Sequence, residues 1–316
     1  MASEEQREAQ SADSAAREAR VFRIETVPEA ITPPQSFVRA CADYGVELDP
    51  GDGERLGLFL ALLLEANKAF NLTAITEPGA AWEKHIFDAL TLVPLLAELP
   101  EGSLVGDVGS GGGVPALPLA IVMPGLSFTL IEATGKKGMY LEEVARVMGL
   151  KNVRVVNGRS EDVGQRRAEG KKAEDGRRRE EGGEKLGAER RPHPGPLSEG
   201  DGAGNGSHEG RKSEGGSQEF AGRELFDVVT ARALGPLNVA AELTLPLTKV
   251  GGRALLVKGQ KADEELVAAK RALALLGGEH EGTLDTPTGR IVVLRKVKPT
   301  PRTYPRKAGE PKRAPL

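Results

Sequence analysis

The sequence predicts an α/β protein: a mainly parallel sheet with helices on both faces, preceded by a small helical extension. Three observations predict it. Strand-length apolar runs alternate with helical segments from about residue 103 onward, as a parallel sheet requires. A glycine-rich stretch, GDVGSGGGVP at 106–115, lies between the first of these strands and a proline-started apolar run. An acid, Glu132, closes the next strand, SFTLIEA.

Taken in order, residues 1–30 carry seven acids and four arginines where a signal peptide would carry an apolar run. A disordered N-terminal tail is expected there. Residues 31–100 are expected to form the helical extension, with helical stretches at 36–70 and 80–97. In ERLGLFLALLLEANKAF, Leu56, Phe59, Leu60 and Leu63 share one face at helical spacing and read as core. The α/β domain spans 101–298. Its strands are SLVGDVG, SFTLIEA, VRVVNG, FDVVTARAL, GGRALLVKG and, last, RIVVLRKV. Between them fall the helical segments PALPLAIV, KKGMYLEEVARVMGL, NVAAELTLPLTKV and ADEELVAAKRALALLGG.

Residues 164–219 interrupt the pattern with twelve acids, twelve basic residues and no Val, Ile, Phe, Tyr, Trp or Met. Such a segment cannot bury enough apolar surface to offset its ordering entropy, so a disordered insertion is expected. Loop-closure cost grows slowly with length, which makes a long surface excursion tolerable. The run RRR at 177–179 suits RNA contact, while the mixed charge suits a solvated linker. The last stretch, PTPRTYPRKAGEPKRAPL at 299–316, sets five Lys/Arg against Glu310. Its prolines predict an extended basic tail, and its cations suit phosphate binding by counterion release. On that reading the tail can be removed without loss of small-ligand affinity.

The longest apolar run, LGLFLALLL, has nine residues and is too short to cross a bilayer. The single cysteine, Cys41, excludes an internal disulfide and a multi-thiolate metal site. The expectation is a cytoplasmic monomer without membrane attachment or bound metal.

The glycine loop narrows the ligand. A dinucleotide fingerprint needs its third glycine at position 114, which is Val114. The spacing is instead Asp107-x-Gly109-x-Gly111-x-Gly113, acid first, the pattern of S-adenosylmethionine-dependent methyltransferases. The difference is chemically intelligible. A pyrophosphate favours amides at a helix N-terminus, whereas an amino-acid ammonium and a sulfonium favour a nearby carboxylate. Glu132 can accept hydrogen bonds from ribose hydroxyls of either ligand.

The sequence also limits the methyl acceptor. An Asn/Asp-Pro-Pro-aromatic motif, usual for exocyclic amines, is absent after the fourth strand, where residues 230–234 read TARAL. Carbon methylation of pyrimidines commonly needs a cysteine nucleophile, and Cys41 lies far upstream in a helical stretch. A ring nitrogen with a free lone pair, such as purine N7, needs only alignment and electrostatics.

Six ordered stretches carry a closer resemblance: NKAFNLTAIT (67–76), WEKHIFDAL (82–90), DVGSGGGVP (107–115), NGRSEDV (157–163), FDVVTARAL (226–234) and LLVKGQK (255–261). With the basic tail, they resemble the bacterial small-subunit rRNA guanine-N7 methyltransferase family, also called glucose-inhibited division protein B. The resemblance implies a class I S-adenosylmethionine-dependent methyltransferase fold: Rossmann-like, seven-stranded, with a reversed last strand. It implies methyl transfer from S-adenosyl-L-methionine to N7 of a guanine in the 530 loop of 16S rRNA, within the small ribosomal subunit. Carried over, Gly109, Val114, Ser160, Glu161 and Arg232 would meet the cofactor, joined by Asp107, Gly111 and Glu132 from the loop argument. Arg232, His85 and Asp88 are the catalytic candidates, Asp88 lying one helical turn from His85 and able to orient it. A lone His in a helix, such as His85, is more often a satisfied structural group than a catalytic one. Asn71, Lys84, Lys258, Arg302, Arg306 and Lys307 are the candidate RNA contacts, although Lys258 could simply be exposed. Thr73 also matches the family.

Two departures stand out. Ala116 replaces a family glycine, with the smaller Val114 two residues before it, which predicts a slightly reshaped loop. The 164–219 insertion is the other. A catalytically silent rRNA-binding assembly factor and a nicotinamide-dependent dehydrogenase remain as alternatives.

Overall fold

The computed structural model describes residues 22–166 and 220–316. Most of the predicted disorder, at 1–21 and 167–219, lies outside the described residues. The seated chain begins earlier than the composition suggested. Phe22 packs edge-on against Phe70 at 4.8 Å, and Glu143 accepts from Arg23 Nη1 and from the Ile24 amide, each at 3.0 Å.

The extension is more broken than its hydrophobic pattern implied. The stretch 36–70 is two helices, α1 (Gln35–Tyr44) and α2 (Asp52–Phe70), parted where α1 stops at Gly45. Leu56, Phe59, Leu60 and Leu63 of α2 are all buried. The stretch 80–97 is a chain of short turns: α3 (Pro78–Ala81), a wide π-helical turn (Trp82–Phe87), α4 (Asp88–Leu90) and α5 (Val93–Leu96). Glu77 caps α3 by accepting from the Gly79 and Ala80 amides.

The α/β domain follows with β1 (Leu104–Val108), α6 (Ala116–Val122), β2 (Ser127–Glu132), α7 (Gly135–Val147), β3 (Val153–Asn157) and α8 (Ser160–Gln165). Beyond 219 come β4 (Phe226–Arg232), α9 (Leu237–Thr244), β5 (Thr248–Lys258), α10 (Ala262–Leu276), β6 (Gly278–Thr286), β7 (Gly289–Lys296) and α11 (Glu310–Arg313). The sheet order is β3-β2-β1-β4-β5-β7-β6, and β7 runs antiparallel to both of its neighbours. This is the class I methyltransferase sheet with its reversed last strand. Alternating strand residues feed the two faces: Val105, Leu255 and Ile291 join the core of α2, α6 and α7, whereas Val108, Leu256 and Val292 join that of α9 and α10.

Three expectations are corrected. NVAAELTLPLTKV is helical only to Thr244, because Pro246 offers no amide to a continuing helix and β5 begins at Thr248. The strand β6, GEHEGTLDT, escaped notice because it is a largely exposed edge strand with little apolar alternation. Pairing with β7 holds it in place. The third correction concerns the tail, which is folded against the body. Arg306 grips the buried Glu242 of α9 through Nε at 2.8 Å and Nη2 at 2.6 Å. Gln165 donates to the Pro305 carbonyl at 3.0 Å, and Arg223 to that of Tyr304 at 2.7 Å. Arg306 is therefore committed to an internal carboxylate, while Arg302 and Lys307 are exposed.

Gly57 shows how tightly the extension is seated. Its carbonyl accepts from the Ile31 amide at 3.2 Å, and a Cβ there would run into the Ile31 backbone oxygen. Alanine in a helix interior normally gains about 1 kcal/mol over glycine, but overpacking against backbone costs about 1–3 kcal/mol. Gly57→Ala should therefore lower the unfolding free energy by about 2 kcal/mol in urea denaturation; a stabilised variant would contradict this seating.

Candidate functional site

The site lies where β1, β2 and β4 end. Asp107 is in the central strand, 1% exposed. Its Oδ1 accepts from Thr230 Oγ1 at 2.8 Å, whereas its Oδ2 has no hydrogen-bond partner. Burial pushes its carboxyl up to about 6. A buried carboxylate oxygen lacking a donor is costly unless a ligand supplies one.

Above it the loop is drawn in by backbone amides. Gly109 donates to Ile131 O at 2.8 Å, and Gly113 to Ser110 O at 2.7 Å. A Cβ on Gly109 would lie 2.6 Å from Leu234. Gly111 has φ of 54°, a left-handed conformation suited to glycine, and its amide donates to Glu132 Oε2 at 2.9 Å. Glu132 Oε1 accepts from the Thr134 amide at 2.8 Å. Both oxygens retain acceptor capacity, since a carboxylate has about four lone-pair positions. Val114 and Ala116 are buried at the start of α6.

At the end of β4, Arg232 reaches back to the helical extension. Its Nη1 donates to Lys84 O at 2.9 Å and to Asp88 Oδ2 at 3.1 Å, and its Nη2 to His85 Nδ1 at 3.3 Å. Asp88 thus orients Arg232, where the sequence suggested it would orient His85. Because a guanidinium only donates, Nδ1 is the acceptor and the imidazole proton sits on Nε2, facing Thr73 Oγ1 at 2.7 Å. Burial, with the Arg232 charge beside it, holds His85 down at about 4. At neutral pH the ring is uncharged.

Ser160 and Glu161 open α8, both buried. Glu161 Oε1 accepts from the Gly309 amide at 2.9 Å, and its Oε2 from Ser160 Oγ at 3.4 Å. Lys258 is placed differently from either reading. Its Nζ binds Gly235 O at 2.6 Å and Glu265 Oε2 at 2.5 Å, and it is 11% exposed. It braces the loop after β4. Lys84 Nζ pairs with Glu83 at 2.7 Å, and Asn71 forms the exposed C-cap of α2. Thr230 and Glu242 were missed as functional partners; the one trace of Glu242 was a lone acid inside the apolar run LNVAAELT.

A family model described as rRNA small subunit methyltransferase G, GidB, matches residues 52–172 and 215–290. The chain belongs to this family. The chain is 39% identical to the ribosomal RNA small subunit methyltransferase G of Sorangium cellulosum, over 87% of this chain and 92% of that protein. It is 35% identical to the protein of the same name from Leuconostoc citreum, over 89% of this chain and 98% of that one. A solved structure described as a SAM-dependent methyltransferase from Aquifex aeolicus is a looser likeness. It has a TM-score of 0.41 and 15% identity over 68% of this chain and 91% of that one. The fold assignment rests on the strand order. Family membership removes the dehydrogenase alternative.

The residues fit S-adenosylmethionine: an uncompensated carboxylate oxygen for an ammonium, a glycine loop above it, and an acid at the end of β2. Two predictions follow from the charges. Because burial raises the Asp107 pKa, its contribution to stability is complete below about 4 and is lost as pH rises through about 6. Relative to Asp107→Asn, the wild type should therefore gain about 2–3 kcal/mol of unfolding free energy between pH 7.5 and 4. A constant difference across that range would refute the buried charge. His85, held at about 4, should show ring-proton NMR shifts that do not move between pH 5.5 and 8. A titration midpoint near 6.5 would mean the ring is solvated and detached from Arg232.

Proposed function

We propose that this protein transfers the methyl group of S-adenosylmethionine to N7 of a guanine in the 530 loop of 16S rRNA. The observation that carries the reading is Asp107: a buried carboxylate with one unpartnered oxygen beneath a glycine loop, in a chain of the small-subunit rRNA methyltransferase G family. Bound there, S-adenosylmethionine supplies a sulfonium methyl group open to direct displacement. Asp107 would compensate the amino-acid ammonium, the glycines would let the backbone approach the ligand, and Glu132 would accept from the ribose. Ser160 and Glu161 border the adenine.

The choice of N7 is supported by what these side chains can do. Burial pushes the Cys41 thiol up to about 11, so the only cysteine is no thiolate nucleophile at neutral pH. His85 is neutral, with both ring nitrogens engaged, and offers no free basic nitrogen. N7 of neutral guanine already presents its lone pair, so the reaction needs no proton removed before attack. Arg232, held by Asp88 and the Lys84 carbonyl, fixes the wall where cofactor and base meet. Its pairing with Asp88 limits the positive charge that the cationic N7-methyl product encounters. Exposed Arg302 and Lys307 supply phosphate contacts. That a single chain provides every residue named supports a monomer, and a ribosomal substrate supports a cytoplasmic location.

The test gives purified protein, labelled S-adenosylmethionine and small subunits from a strain lacking the modification, followed by borohydride–aniline cleavage. One new cleavage in the 530 loop is expected. Cofactor binding without label transfer would favour the catalytically silent assembly factor. Arg232→Ala should lower kcat/KM by about 10²–10³ with the fold retained; unchanged turnover would remove Arg232 from the mechanism.

A further inference from the structure

We infer that the C-terminal segment 304–316 is a positioning element of the cofactor pocket, holding Glu161 in place through the Gly309 amide. The inference rests on the reading above that Ser160 and Glu161 border the cofactor.

The segment is anchored independently on both sides of Gly309. Before it, the Arg306 guanidinium and backbone amide both bind Glu242, a carboxylate with no exposure at all. Tyr304 packs against the α9–α10 core, and its carbonyl accepts from Arg223 at 2.7 Å. After it, Leu316 packs on the same core, and its carbonyl accepts from Asn238 of α9 at 2.9 Å. Arg306 Nη1 closes the segment on itself by donating to Ala314 O at 2.8 Å.

Between these anchors the chain must turn sharply, and Gly309 makes the turn with φ of 80°. The turn brings its amide to Glu161 Oε1 at 2.9 Å. Glu161 is 6% exposed, and the Ser160 hydroxyl reaches its other oxygen only at 3.4 Å. The tail amide is therefore the shorter of the two hydrogen bonds on this carboxylate. Without it, a buried carboxylate oxygen is left unsatisfied, and Glu161 swings toward water. That movement changes the surface offered to the adenosine. The chain of dependence runs from Glu242 through Arg306 and Gly309 to Glu161, and none of the first three needs to touch the cofactor.

Positioning differs from simple structural support in what it changes. The measurement is the dissociation constant of S-adenosylhomocysteine for the full chain without RNA, by calorimetry, with folding checked by circular dichroism. Glu161→Ala should weaken binding about tenfold, the scale of one lost hydrogen bond to a charged group. Gly309→Val keeps the amide but cannot hold a left-handed turn without strain, and should weaken binding by a similar factor of about ten. Gly309→Asn, which enters that region more readily, should stay within about twofold of wild type. The double variant Glu242→Met/Arg306→Met removes the clasp without stranding a buried charge and should resemble Gly309→Val. Should it fail to fold, Gly309→Val decides. Combined with Glu161→Ala, Gly309→Val should add no further loss, because both act through one carboxylate. Wild-type affinity in a folded Gly309→Val, or losses that add in the combination, would overturn the positioning role. Wild-type affinity in Glu161→Ala would overturn the reading of Glu161 as a cofactor neighbour, and the inference with it.

Discussion

Asp107 occupies the central strand of the sheet, flanked by β2 and β4, where its carboxylate is shut away from water. The position follows from chain order. A strand that leads into a ligand-binding loop at the crossover of an α/β sheet has neighbours on both sides, so an acid at its end is buried by construction. Thr230 on β4 satisfies one oxygen and leaves the other without a donor. A buried carboxylate oxygen without a donor is a cost of the kind folded proteins normally avoid. The segments around it are held firmly: the glycine loop is pinned by Glu132, and the turn after β4 is braced by Lys258.

Arg232 ties the helical extension to that centre by hydrogen bonds. It leaves β4 and takes acceptors from three residues of the broken helix, Lys84, His85 and Asp88. These positions share a face at helical spacing. The wide turn at Trp82–Phe87 presents a main-chain carbonyl, a ring nitrogen and, just beyond it, a carboxylate to one guanidinium, in keeping with the frequent functional role of such turns. Keeping His85 uncharged is part of the arrangement, because a protonated ring would repel the arginine it holds.

Features encoded by neighbouring residues were legible in the sequence. The glycine spacing, Glu132 at a strand end and the apolar face of α2 are all local signals, and each appears where the pattern placed it. Partnerships across long separations were not. Nothing in WEKHIFDAL announces that Asp88 serves an arginine on β4 rather than the histidine one turn away. Lys258 and Arg306 look like exposed cations on charge alone; only the fold shows that Glu265 and Glu242 claim them. The proline-rich tail misled for a related reason. Composition reports the absence of regular structure, and irregular chain can still be packed and fully hydrogen-bonded. The edge strand β6 lacked the alternation by which strands are recognised, since its place is set mainly by β7.

The junction of the insertion has a wider meaning. On its two sides, Val163 O meets the Gly222 amide at 3.1 Å and Arg166 O meets the Arg223 amide at 3.1 Å. The chain thus leaves and re-enters through a stitched doorway whose width is fixed by residues outside the excursion. The two backbone bonds tie the flanks of β3–α8 to the approach to β4, so the third and fourth strands keep their spacing through contacts made by the flanks themselves.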